Sequence, residues 1–370
     1  MELNLSSLGS RLFSNENVNK GRQLELDIAR GLAVLFMVLV HVQIEFLAPE
    51  VSESWIGWAI NFLGTPPAAP VFMFMLGAFI IYSSKNDPRT LIRRGFLLLL
   101  AGYLLNFFRG TLPDLTAWAM NGGSGYIDLA SNALIEIDIL QFAGLAFIFF
   151  GIARKYKWNN RTIVGTALVL SLLSYYLNDY TAEDYSLKAI TGLFWGSSAV
   201  SYFPFVSWIL VPVLGYVFGQ YLVRCKDKEL FYRTLLLLSV LVLAAMACVS
   251  FAGLTIDIGL TDDYVYYHMD TVANAAYISF AVFWMAILFY ATKYVPKVVA
   301  KTIGRWSRNV TDIYIIHWIF IGWIAIVIGR HGLELGPYMV LFISIFIVSD
   351  ALAWWYGKAI KKRGAKAVKG

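Results

Sequence analysis

The sequence predicts an all-α, polytopic integral membrane helix bundle of about ten transmembrane helices, with both termini in the cytoplasm. Three observations predict it. Of the 370 residues, 59% are hydrophobic and only 15% charged, against about 25% charge in a soluble domain. A soluble fold of this length has no place to hide so much apolar surface. The apolar residues also come in runs of about 17–24, each long enough to cross a ~30 Å hydrocarbon core as a helix. Finally, lysine and arginine concentrate in alternate connecting segments, 26 of the 30 on one side of the alternation.

The first run, 26–47, follows a polar segment, 1–25, that carries Arg11, Lys20 and Arg22. It is longer than the core of a signal peptide, so no cleavable signal peptide is expected. The later runs are 68–84, 92–109, 132–153, 162–178, 203–223, 232–254, 271–292, 310–329 and 337–357. Residues 54–64 read as a short helix lying in the interface, where Trp55 and Trp58 suit the headgroup region. The organisation is then a cytoplasmic tail (1–25), a membrane domain (26–357) and a short basic cytoplasmic tail (358–370) suited to a membrane surface.

Basic residues orient the chain. Loops 85–94, 154–161, 224–233 and 293–308 and both tails carry nearly all of them, and only Arg109, Lys188 and Arg330 fall on the other side. The positive-inside rule puts the rich side in the cytoplasm, in a multi-pass protein of the cell membrane. The net charge of +6 is thereby a topology signal, and a nucleic-acid partner has no support; membrane lipids are the expected surroundings. Asn4, Asn160 and Asn309 open N-x-S/T sequons on the cytoplasmic side, where glycosylation does not occur. Cys225 and Cys248 suggest neither a disulfide nor a metal site. The outer loops, 179–202 and 255–270, are acidic and aromatic, with Asp179, Glu183, Asp262, Tyr264, Tyr266 and Tyr267 among them. They suit either an interfacial aromatic belt or a platform for a polar ligand such as a sugar.

Ionisable residues inside the first run are the sharpest functional signal. Arg30 and His41 are eleven helical steps apart, about 20° past three full turns, so they share a face with ~16 Å of rise between them. Asp27 lies within pairing reach of Arg30, and Glu45 comes four residues after His41 on the same side. Charges at such depth are costly unless they face protein or water, and they mark functional sites by default. The plainer alternative is an Asp27–Arg30 ion pair that closes the helix start, with His41 bonded to a neighbouring helix. His317 likewise reads as an inter-helix hydrogen bond, His268 and Asp270 as a solvated loop, and Asp350 as a buried acid in need of a partner.

Arg30-x10-His41 at the start of such a bundle resembles the membrane acyltransferase superfamily. That group includes the acyltransferase-3 and the heparan-α-glucosaminide N-acetyltransferase-like proteins. Leu26-Asp27-Ile28-Ala29-Arg30-Gly31 resembles the family opening. Thr65-Pro66-Pro67-Ala68-Ala69-Pro70-Val71-Phe72 with Gly77 beyond it, Ile137-Asp138-Ile139-Leu140-Gln141, and Tyr202-Phe203-Pro204 running to Gly215 and Gly219 resemble later segments in order. Tyr314-Ile315-Ile316-His317-Trp318 resembles the late Y-x-x-H segment. The 48–67 loop contains no histidine, which sets the chain nearer the acyltransferase-3 pattern.

The resemblance implies an enzyme that moves an acyl group, acetyl in the first instance, from cytoplasmic acyl-CoA to a hydroxyl or amine. The acceptor it implies is a sugar or glycolipid at the outer face, and it implies no metal. Arg30, with Asp27, and Arg109 are then candidates for donor binding. His41 is the candidate general base, with Glu45 beside it, Asp138 to orient the base or the acceptor, and Gln141 and Arg109 as candidate donors to the oxyanion. An acyl-histidine intermediate is the alternative route. A homo-oligomer is compatible with the sequence.

A secondary transporter or flippase for a polar or glycolipid solute is the competing class. Pro66, Pro67 and Pro70 open the second run, and Pro204 and Pro212 interrupt the sixth, as in helices broken at transport sites. Against it, the two halves show no internal repeat. A structural or receptor protein leaves the polar stripe unexplained. The topology predicts that a reporter fused after Gly370 is cytoplasmic; a periplasmic or extracellular signal from that fusion means the span count is wrong.

Overall fold

The computed structural model describes residues 12–178, 180, 182, 184–196, 200–252, 257–260 and 262–367. The predicted runs fall on ten helices, α1 to α10 in chain order. They are Leu24–Phe46, Ala69–Tyr82, Pro88–Asn106, Ile139–Lys155, Asn160–Leu177, Leu210–Arg224, Lys228–Phe251, Thr271–Ala291, Val310–Ile328 and Leu335–Ala367. The described residues form no strand beyond isolated bridges. Among them, eight helices are long and apolar enough to cross a membrane; α4 and α5, of 17 and 18 residues, are not among the eight. The protein is thus an all-α, multi-pass membrane protein.

Two boundaries differ from the sequence reading. The fourth run begins at residue 132 in the hydropathy pattern, but α4 starts at Ile139. Ile137 is extended there, its N–H donating to the Val200 carbonyl (2.7 Å) and its carbonyl accepting from the Tyr202 N–H (2.9 Å). Asp138 then caps the helix. The 293–308 segment is a loop by hydropathy, yet it contains a helix, Lys297–Arg308. Lys297, Lys301, Arg305 and Arg308 recur at helical spacing, while Ile303, Gly304 and Ser307 are buried, the pattern of a helix with one face covered.

The chain divides into two compact units. One comprises Met1–Leu26, Pro70–Tyr103 and Ile135–Tyr294; the other comprises Asp27–Ala69, Leu104–Leu134 and Val295–Gly370. In the first, helices meet through small residues, as expected where lipid supplies no hydrophobic drive and close packing must serve. A Cβ at Gly77 would strike the Pro212 carbonyl, and one at Gly215 the Phe74 carbonyl, so α2 and α6 approach through two glycines. Gly95 and Gly144 do the same for α3 and α4. Glu25, 3% exposed, accepts from Lys228 Nζ at 2.5 Å and from the Tyr232 hydroxyl at 3.1 Å.

The loop before α8 is not the solvated segment that its polarity suggests. His268 is 8% exposed, stacks on Tyr264 at 4.4 Å, and is held by Nδ1 against the Tyr264 carbonyl at 3.0 Å. Burial pushes its imidazole below the usual histidine range. Asp262 and Asp270 cap the helices Asp263–Tyr267 and α8, and Tyr266 packs on Trp208 and Tyr277. These acids and this ring are spent on structure, which weakens the sugar-platform reading; Asp179 and Glu183 lie outside the described residues. Both cysteines are free.

The second unit holds α1, α9, α10, the helices Trp55–Gly64, Leu112–Asn121, Gly125–Ile135 and Lys297–Arg308, and a π-helical turn, Phe107–Thr111. Trp55 and Trp58 are exposed while Gly57, Ile60 and Gly64 are buried. The partner of Asp350 is Arg305, ion-paired through Nη2.

Gly215→Ala is expected to cost about 1–3 kcal/mol by forcing α6 off α2, read as a lower thermal unfolding temperature in detergent. Gly165→Ala, whose added Cβ meets nothing within 4 Å, is the control and should be neutral or stabilising by up to about 1 kcal/mol.

Candidate active site

The site grows from α1. Its N-terminal turns carry Asp27, 5% exposed, and Arg30. The fully buried Ser307 hydroxyl joins them: it accepts from Arg30 Nε at 2.9 Å and donates to Asp27 Oδ1 at 2.9 Å. Ser307, from the helix Lys297–Arg308, thus bridges the two residues expected to close the helix start. That helix comes close because residue 31 is glycine; a Cβ there would lie 2.5 Å from the Ile303 carbonyl oxygen. The guanidinium is thus fixed in direction as well as in place.

Three turns further along α1, His41 meets His317 of α9. His41 Nδ1 lies 2.9 Å from His317 Nε2, with the rings 8° from parallel. His317 is fully buried, and its Nδ1 lies 3.0 Å from the Ile313 carbonyl. A carbonyl oxygen only accepts, so His317 Nδ1 carries a hydrogen. In neutral His317, Nε2 is then a lone-pair acceptor, and His41 Nδ1 must donate to it. The same logic leaves His41 Nε2 as the unprotonated, basic nitrogen. Trp318 stacks on His41 at 4.4 Å, and Tyr314 meets both imidazoles edge-on at 6.2 and 5.3 Å. The buried Trp318 Nε1–H has no acceptor among the described residues, an orphan donor beside the basic imidazole.

Arg109 joins this cluster. It is 7% exposed, and its guanidinium lies over the Trp318 ring at 4.4 Å. Its direction is set by the π-turn Phe107–Thr111, a wide helical turn often found at functional sites. Thr111 donates to the Ala130 carbonyl at 3.0 Å and Asn106 to the Leu134 carbonyl at 3.3 Å, which ties both ends of the turn to the helix Gly125–Ile135. On the α9 side, Gly322 lets the turn approach, since a Cβ there would occupy the place of the Arg109 carbonyl.

The other sequence candidates have other partners. The Glu45 carboxylate is paired to Arg330 at 3.1 Å, and its carbonyl accepts from the His331 N–H at 3.0 Å; His41 finds its partner in His317. Asp138 and Gln141 belong to the first unit, where they form a reciprocal capping box on α4. Gln141 Oε1 accepts from the Asp138 N–H at 3.3 Å, and its Nε2 donates to the Glu136 carbonyl at 3.0 Å. His317 is the inter-helix hydrogen bond that its position suggests, and its partner is His41. Sequence reasoning does not single out Ser307 or Trp318, and it holds His317 to a structural role although that residue ends the Y-x-x-H segment.

Gly322→Ala is expected to displace the Arg109 turn at a cost of about 1–3 kcal/mol. It should lower thermal stability and reduce the quenching of Trp318 fluorescence by the neighbouring cation, relative to wild type.

Residues 23–357 match the family model of the acyltransferase-3 family, described as an acyltransferase domain. No curated protein matches the chain. The match takes in both the Arg30–Ser307 contact and the His41–His317 pair, and covers well over half of the sequence: the chain is a membrane acyltransferase and belongs to the acyltransferase-3 family.

Proposed function

We propose that this acyltransferase moves an acyl group, acetyl in the first instance, from cytoplasmic acyl-CoA to a hydroxyl or amine of a sugar or glycolipid at the outer face of the cell membrane. His41 is the general base. The observation that carries the reading is the chain Ile313 carbonyl–His317–His41, which leaves His41 Nε2 as the proton acceptor. A hydroxyl is a weak nucleophile at neutral pH, and a positioned imidazole that takes its proton during attack is worth about 10²–10⁴ in rate.

In this mechanism His41 Nε2 removes the acceptor proton as the acceptor oxygen or nitrogen bonds to the thioester carbonyl carbon. The carbonyl oxygen becomes an oxyanion, for which Arg109 and the Trp318 Nε1–H are candidate donors. Collapse breaks the carbon–sulfur bond, and the proton held on His41 passes to the departing thiolate. His317 is a positioning residue, since it acts on the reaction through its contact with His41. Arg30, oriented by Ser307 and Asp27, binds donor phosphate as a planar fork. Basic-residue placement supports an Arg30 end of α1 at the cytoplasmic side, with His41 ~16 Å along the helix toward the outside.

Calorimetry with acetyl-CoA on the purified protein separates the roles. Arg30→Ala should weaken donor binding; His41→Ala should spare binding and abolish transfer. No binding of wild type at millimolar donor sinks the proposal. His317→Leu should lower kcat by about 10²-fold or more with donor Kd unchanged. His317→Gln, which returns an acceptor near the position of Nε2, should recover part of that loss; equal loss in both variants argues for a purely structural residue. Trp318→Phe keeps the ring and removes the orphan donor, and should slow transfer by about 10–100-fold.

A further inference from the structure

Two arginines in the first unit stand apart from the acyl-transfer chemistry. At the basic ends of α4 and α6, an open cavity of about 340 Å³ is lined by Arg154, Arg224, Asn17, Asn86 and Gln220. Arg154 Nη1 donates to the Asn86 carbonyl at 2.6 Å, and Arg224 Nε donates to the Ser14 carbonyl at 3.0 Å. Each arginine is therefore held by one nitrogen against a neutral backbone group. Among the described residues neither has a carboxylate partner. A guanidinium offers five N–H donors, so both retain donors and full charge toward the cavity. Gln220 adds to this: its Oε1 accepts from Asn160 at 2.6 Å, which leaves its amide N–H groups for another acceptor.

The wall is firmly built. The Ser14 N–H donates to the Arg224 carbonyl at 2.8 Å, the Val18 and Asn19 N–H groups both donate to the Val223 carbonyl at 2.9 Å, and the Asn19 side chain donates to the Leu222 carbonyl at 3.2 Å. The N-terminal segment is thus pinned along the end of α6 and fixes Arg224 through Ser14. Two arginines in set positions, with amides lining the same cavity and, among the described residues, no carboxylate ion-paired to either, match a phosphoryl group, whose oxygens accept forked guanidinium bonds.

We propose that this cavity is a phosphate-binding site, for a ligand that carries a phosphoryl group as part of a soluble nucleotide or of an anionic lipid headgroup. The test is direct binding to the full chain, so failure of the acyl-transfer mechanism does not bear on it. In one arm, calorimetry in neutral detergent uses inorganic pyrophosphate and adenosine 3′,5′-bisphosphate. In the other, thermal unfolding is compared in nanodiscs of phosphatidylcholine with and without phosphatidylglycerol. The Arg154→Gln/Arg224→Gln double variant should lose at least about tenfold in affinity for the soluble phosphates if the source is a nucleotide. It should lose the stabilisation by phosphatidylglycerol if the source is a lipid. If wild type responds to neither, or the folded double variant responds as wild type does, the site is structural and the proposal fails. Should the double variant lose its unfolding transition, the single variants Arg154→Gln and Arg224→Gln replace it; undiminished affinity in both overturns the proposal equally.

Discussion

Hydrocarbon offers no water to a polar group, so each ionisable side chain on a membrane helix must find its partner within the protein. That constraint organises the second unit. The stripe on α1 makes three demands, and one stretch of chain answers them in order. Ser307 serves Asp27 and Arg30, His317 serves His41, and Arg330 serves Glu45. Partners that ascend together on both segments require α1 and α9 to run parallel. The parallel bridge between Leu47 and Leu333 continues the alignment beyond the helix ends. Glycine at position 31 permits the approach at one end, and the Tyr338 hydroxyl binds the Leu39 carbonyl at 2.9 Å further along. Register is thus set by polar pairs, since apolar contacts between helices in lipid discriminate weakly between neighbours.

The same pairing converts a structural contact into a chemical one. The Ile313 carbonyl already lies in a helix, and its second lone pair fixes the tautomer of His317. That choice is passed to His41 through one short contact. A lone histidine on α1 could carry its hydrogen on either nitrogen and turn its ring. Anchored, it presents one basic nitrogen in one direction, the preorganisation that a general base requires. A carboxylate orienter would add a negative charge at this depth; a neutral imidazole backed by a carbonyl orients His41 without that desolvation cost.

The features legible in the sequence are those encoded locally. Run length marks the helices, and the separation of Arg30 and His41 marks the shared face, because helical geometry alone fixes both. Partners are not legible, since His41 and His317, or Arg305 and Asp350, are brought together only by packing. Glu45 shows the same limit: its four-residue offset from His41 is a local fact, and its pairing with Arg330 is a distant one. Asp138 and Gln141 are a different case. The spacing D-x-x-Q is also that of a capping box, a signal present in the sequence and outweighed there by the resemblance. The basic residues between 297 and 308 likewise show helical spacing, a second meaning beside the topology they report.

Arg109 marks where sequence reasoning has least reach. Its residue type is noticeable, but its use depends on a π-turn, and one extra residue in a turn rotates the helix on one side of it by about 100° relative to the other. Such a turn forfeits regular backbone bonding, so it persists only where other contacts hold it. Here Thr111 and Asn106 tie it to one helix, Gly322 makes room for it on another, and Trp318 receives its cation. Trp318 also stacks on His41. A single indole thereby contacts both the fixed positive charge and the imidazole of His41.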